Sequence, residues 1–147
     1  MKFFQTLKKY YSFIFPTQAV FCDSSTVSRF TKDSCHIKRK EGVITITPDA
    51  FIYPEGVKEI SLAHIDRLCN KKIWFLGDNE VFKNTKPKRN AVARADMNVG
   101  KLKNCSIIGF DIKRDDLEFD RHVTAYSNME KYLFATKLSL NCSVIVR

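Results

Sequence analysis

Hydrophobic positions fall in short runs along the chain, separated by charged or turn-forming residues. In "MKFFQTLKKYYSFIF", Phe3, Phe4, Leu7, Tyr10, Tyr11 and Ile14 recur at helical spacing, with Lys2, Gln5 and Lys9 opposite. That spacing predicts an amphipathic helix over residues 1–15. Residues 16–35 are rich in Ser, Thr and Asp and read as loop. "VITIT" (43–47) is β-branched and predicts a strand. "PDAFIYPEG" reads as turns around a short extended piece. Over residues 57–70, Val57, Ile60, His64 or Ile65, and Leu68 repeat at helical spacing, predicting a helix. "KIWFL" (72–76) reads as a buried strand and "AVARADMNV" (91–99) as a further strand. "CSIIGFDI" (105–112) is the strongest strand pattern in the chain. Asp115-x-x-Glu118 resembles a capping box ahead of a helix over 116–138, with Phe119, Val123, Tyr126, Met129 and Leu133 as its stripe. "CSVIVR" closes the chain as a strand.

From residue 57 the expected order is α-β-β-β-α-β. A helix between strands predicts an α/β fold with a central mixed sheet. With 147 residues the chain suits one domain. Residues 50–147 are its expected core, and residues 1–49 an N-terminal extension of helix and strand.

Composition narrows the classes. Apolar residues make up 44% of the chain and charged residues 28%, which excludes a disordered chain. The formal net charge of +9 favours a polyanionic partner, nucleic acid or an anionic membrane surface. Cys22, Cys35, Cys69, Cys105 and Cys142 are odd in number, with no C-x-x-C among them. They read as reduced, mostly buried thiols, which points to the cytoplasm or another reducing, nucleic-acid-containing compartment and not to secretion. No run of 18 apolar residues marks a membrane span. The N-terminal helix is expected to pack on the core, with a membrane-surface role as its alternative.

Chemistry gathers at the end of the 105–112 run. Alternation along a strand puts Asp111 and Lys113 on one face, about 6–7 Å apart. A carboxylate there can bind a divalent cation, and a lysine can orient water or steady phosphate charge. Asp96, ending the preceding strand, is the natural second ligand. "ARADMNVGKLKNCSIIGFDIKR", with His122-x-x-x-Tyr126 following, resembles the PD-(D/E)xK nuclease superfamily over residues 57–147. Ala95 stands where that family has proline, and His122 where it usually has glutamine.

The resemblance implies a restriction-endonuclease-like fold and a metal-dependent nuclease, with DNA as the expected substrate. Asp96 and Asp111 would hold Mg²⁺ or Mn²⁺, helped by the Ile112 carbonyl and by Glu59. Lys113 would position the attacking water. Lys83, Lys86, Lys88, Arg89, Arg94, Arg114, His122 and Tyr126 would contact nucleic acid. Nine of the 25 basic residues fall within the 32 positions 83–114, which fits phosphate contact. A homodimer is among the assemblies open to such a chain.

Two other readings stand beside it. One is the same fold binding nucleic acid without cutting. The other rests on "GVITITPDAFIYPEGVKEISLAHIDRL", which resembles the early hairpins of a pleckstrin-homology-like or GRAM-like barrel and implies a membrane-associated module using residues 1–15.

Overall fold

The computed structural model describes residues 20–53, 55–115 and 118–147. The helix expected over 1–15 lies outside these residues. Six strands form one sheet: β1 (Thr26–Thr31), β4 (Glu59–His64), β5 (Ala93–Asn98), β6 (Asp111–Arg114), β7 (His122–Tyr126) and β8 (Ser143–Val146). Their order is β6-β7-β4-β1-β5-β8. β2 (Ile37–Lys40) and β3 (Val43–Ile46) make a separate hairpin. Glu41 and Gly42 both have positive φ, 52° and 79°, which supports the tight two-residue turn between them. Three helices, α1 (Asn70–Leu76), α2 (Val99–Asn104) and α3 (Lys131–Leu140), complete the fold, and α1 runs on into a wider turn at Gly77–Val81.

The molecule is a single-domain α/β fold. Every described strand pairing is antiparallel, where the sequence pointed to a mixed sheet. β4 and β5 both run antiparallel to β1, so they are parallel to each other with β1 between them. The helix α1 therefore does join parallel strands, but they are not neighbours. β1 is interior to the sheet, so residues 26–31 belong to its centre and not to an extension.

Register explains why the sheet carries two cores. Val27 faces Met97 and Arg29 faces Ala95, and this side collects Ile60, Leu62, Ile112, Val123 and Ala125. Phe134, Ala135 and Leu138 of α3 and Phe51 from the Pro48–Phe51 turn cover it. The opposite side carries Phe30 and Ala63, covered by Ile73, Trp74 and Leu76 of α1. Burying each large side chain stabilises the fold by roughly 1.5–3 kcal/mol before the cost of ordering the chain. Gly77 allows a close approach within this core: a Cβ there would sit 2.6 Å from the Phe30 ring. Arg29 ties the first core together, donating to the carbonyls of Ala50 and Ser61, each at 2.9 Å.

Several segments differ from their sequence reading. Residues 59–64 are a strand and not a helix, because Ile60 and Leu62 serve one core while Ala63 serves the other. "KIWFL" lies in α1 and not in a strand. "CSIIGF" is a turn-rich connection, with Ser106 and Gly109 at positive φ, and only Asp111–Arg114 is strand. The region expected as one long helix holds β7 and then α3. Cys22, Cys35 and Cys69 are exposed, and Cys105 and Cys142 are half-buried, so the thiols are free but not mostly buried. Among the described residues, no helix is long and apolar enough to cross a membrane.

Candidate nucleic-acid interface

Asp111 and Lys113 leave the same face of β6, both exposed, as alternation predicts. Cross-strand rows extend from them. Asp111 lies opposite Tyr126, which lies opposite Glu59. Lys113 lies opposite Thr124, which lies opposite Ser61. Glu59 thus shares a face with Asp111, but two strands away and with Tyr126 between them. Glu59 also stands on a strand, not on the expected helix. The Tyr126 hydroxyl donates to Asn128 Oδ1 at 2.7 Å.

Asp96 is elsewhere. Its row runs Ser143, Asp96, Ser28, Ala63, His122. Four strand-to-strand steps separate β5 from β6, about 19 Å across the sheet. Along β4 the two rows cross at Ala63 and Glu59, a further ~14 Å apart. Asp96 also has a partner of opposite charge. Arg94 Nε donates to both of its oxygens at 3.2 Å, Arg94 Nη1 donates to Asn70 Oδ1 at 2.8 Å, and the guanidinium lies 4.9 Å from the Trp74 ring centre. A divalent cation bridging Asp96 and Asp111, with the Ile112 carbonyl and Glu59 assisting, does not fit this arrangement. Among the described residues, no three His, Cys, Asp or Glu side chains group so as to hold a metal ion.

The residues expected to touch nucleic acid divide by exposure. Arg94 is buried in its ion pair. His122 is buried, and its Nδ1 donates to the Asp115 carbonyl, an acceptor only, at 2.7 Å. His122 Nε2 shares a hydrogen bond with Ser61 Oγ at 3.0 Å. Neither side chain is free to meet phosphate. Arg114 lies 3.8 Å from Asp120 at the sheet edge. Lys83 Nζ donates to the Glu118 carbonyl at 3.0 Å. His64, the other histidine of note, is buried with Nε2 2.8 Å from Asp66 Oδ2. Burial pulls Asp66 up, but hydrogen bonds from His64, the Thr26 amide and Ser25 outweigh it and hold the carboxyl below its usual value.

Lys86, Lys88 and Arg89 are exposed and are brought to a second basic run. Arg89 Nη2 donates to the Lys32 carbonyl at 2.9 Å, and its Nη1 pairs with Asp33 Oδ1 at 2.8 Å. The loop is braced further back, where the Arg89 amide donates to Thr85 Oγ1 and Lys88 Nζ to Asn79 Oδ1. Arg89 therefore fastens loop 83–90 to the link between β1 and β2. Lys38, Arg39 and Lys40 of β2, the strand that continues from this link, are exposed, and Arg39 lines one groove with Asn90. Arg147 is there too, its Nη1 donating to Asp78 Oδ2 at 2.7 Å and its guanidinium 5.4 Å from the Trp74 ring centre. Asp78 also accepts from the Ala91 amide at 2.8 Å, which fixes the far end of the loop.

Lys38–Lys40 and Arg147 were not among the residues the sequence pointed to. The charge run at 38–40 is plain in the sequence; what joins it to residues 86–89 is the fold. No protein-family model matches this chain, and no curated protein or solved structure matches it either.

Proposed function

We propose that the chain is a nucleic-acid-binding module whose contact surface is the basic end formed by β2 and loop 83–90. The observation that supports this reading is the pair of bonds from Arg89 to Lys32 and Asp33, which ties the basic loop 83–90 to the link that leads into the basic strand β2, where Arg39 lines one groove with Asn90. Phosphates along a nucleic-acid backbone give such a surface affinity without base contacts. Cutting by a metal held between Asp96 and Asp111 is not part of the proposal, because four strand steps separate the two strands.

Binding of labelled DNA and RNA oligonucleotides, followed by fluorescence anisotropy across a salt series, tests it. With about five phosphates neutralised on duplex DNA, doubling the salt weakens binding roughly twentyfold. Binding that is absent at low salt, or indifferent to salt, overturns the reading. Plasmid incubated with Mg²⁺ or Mn²⁺ is expected to stay intact, and Asp111→Ala is expected to behave as the parent does. Cleavage that Asp111→Ala or Asp96→Ala abolishes would restore the metal-dependent nuclease.

A further inference from the structure

Between the β2–β3 hairpin and β8 lies a groove of about 410 Å³. Ile37, Val92 and Val146 supply its apolar lining, Arg39 and Arg147 its charge, and Asn90 a side-chain amide. Alternation along β2 accounts for Arg39: it shares a face with Ile37, the pair standing opposite Ile44 and Ile46, while Lys38 and Lys40 take the other face. Arg147 is positioned before any ligand arrives. Its Nη1 holds Asp78 and reaches the Ala91 carbonyl at 3.4 Å, its amide donates to the Val92 carbonyl at 3.0 Å, and its side chain remains 45% exposed.

We propose that this groove is the nucleotide subsite of the basic surface and that it takes one unit of a single strand. The inference rests on the nucleic-acid reading. Its volume lies within the range of small-ligand sites, about 300–1,000 Å³. Arg39 and Arg147 offer the planar donor pairs that match phosphate oxygens. The Ile37, Val92 and Val146 surface receives the sugar or the face of a base, and the Asn90 amide can donate to and accept from a base edge. A stacked, paired base cannot be lowered between a hairpin and a strand, whereas an unpaired base is free to enter. The groove thus selects strand state, while Lys38, Lys40, Lys86 and Lys88 provide the affinity common to any backbone.

The test compares two faces of one strand. Arg39→Gln and Lys38→Gln each remove one positive charge from β2, and thermal melts check that both variants remain folded. A ten-nucleotide labelled single strand and a duplex of the same length are the probes, at about 50 mM salt, where phosphate contacts are strong. The parent is expected to bind the single strand more tightly than the duplex. Arg39→Gln is expected to weaken the single strand at least tenfold, against two- to threefold for Lys38→Gln, and the two variants should lose duplex binding equally. Equal losses of the single strand in both variants overturn the subsite and leave the nucleic-acid reading standing. Failure of the parent to bind either probe overturns the reading and the subsite together.

Discussion

β5 and β6 each contribute a carboxylate that the sequence offers to the same metal, and they could hardly differ more in setting. β5 has a partner on both sides, β1 and β8, and Asp96 is spent on a half-buried pair with Arg94. β6 is four residues long, has a described partner only in β7, and presents Asp111 and Lys113 to solvent. A carboxylate inside a sheet is retained when a partner offsets its desolvation. A carboxylate on an edge strand needs no partner, and charge there discourages edge-to-edge pairing with other chains. The same residue type is thus explained by packing in one strand and by solvation in the other.

The contrast is sharpest in stability. Arg94→Ala leaves Asp96 without its partner and removes the guanidinium over Trp74. It is expected to cost about 3 kcal/mol in urea unfolding. Gly77→Ala, which forces a methyl against the Phe30 ring behind β1, is expected to cost about 2 kcal/mol. Asp111→Ala and Lys113→Ala should each change stability by less than about 0.5 kcal/mol. A loss at Asp111 as large as that at Arg94 would mean that β6 is not a solvated edge.

Thiol chemistry reads the same contrast more finely. Cys142, beside β8, is pushed up to about 11 by burial, with the Asp96 charge adding to it. Cys22 is exposed, and hydrogen bonds from Ser24 and then Ser25 hold it below its ordinary value. A lower value means more thiolate at a given pH, so at pH 8 Cys22 reacts and only about one in a thousand Cys142 side chains is ionised. Mass spectrometry of iodoacetamide-treated protein should show Cys22 modified well before Cys142. Asp96→Asn should then speed Cys142 by a small factor, because the neighbouring negative charge is gone. Cys142 reacting first would contradict the placement of both groups.

Parts of this fold are legible in the sequence. β3, β5 and β8 stand close to where β-branched runs and alternation put them, and Trp74 is in a core. The α/β class followed from helices lying between strands. What failed were short apolar runs. Ile73, Trp74 and Phe75 carry no period long enough to tell helix from strand. In residues 59–64 both faces are covered at Ala63 and Leu62, which blurs the alternation and lets a helical spacing pass through it by chance. In "SIIGF" the apolar residues anchor a turn: Ile107 is buried, Ile108 is exposed, and Phe110 meets Phe134 edge-on. The site misread has a different origin. Asp96 and Asp111 are 15 positions apart, which suggested neighbouring strands, but strand order is set by β1, β4 and β7 filling the space between them. Local pattern cannot report that insertion. The basic end was half legible for the same reason, since loop 83–90 meets the link before β2 through Arg89, and meets β2 itself where Asn90 and Arg39 line one groove, both through tertiary contacts.

Nucleic acid is expected to meet the basic end and not the edge strand β6. The most direct measurement is the salt slope of oligonucleotide binding in two variants. One carries Lys38→Gln, Arg39→Gln, Lys86→Gln and Lys88→Gln together, and the other carries Lys113→Gln and Arg114→Gln. The first is expected to lose about three to four units of slope, near one per phosphate contact, and the second to keep the parent slope. A parent-like slope in the first variant, with the loss appearing in the second, would contradict it.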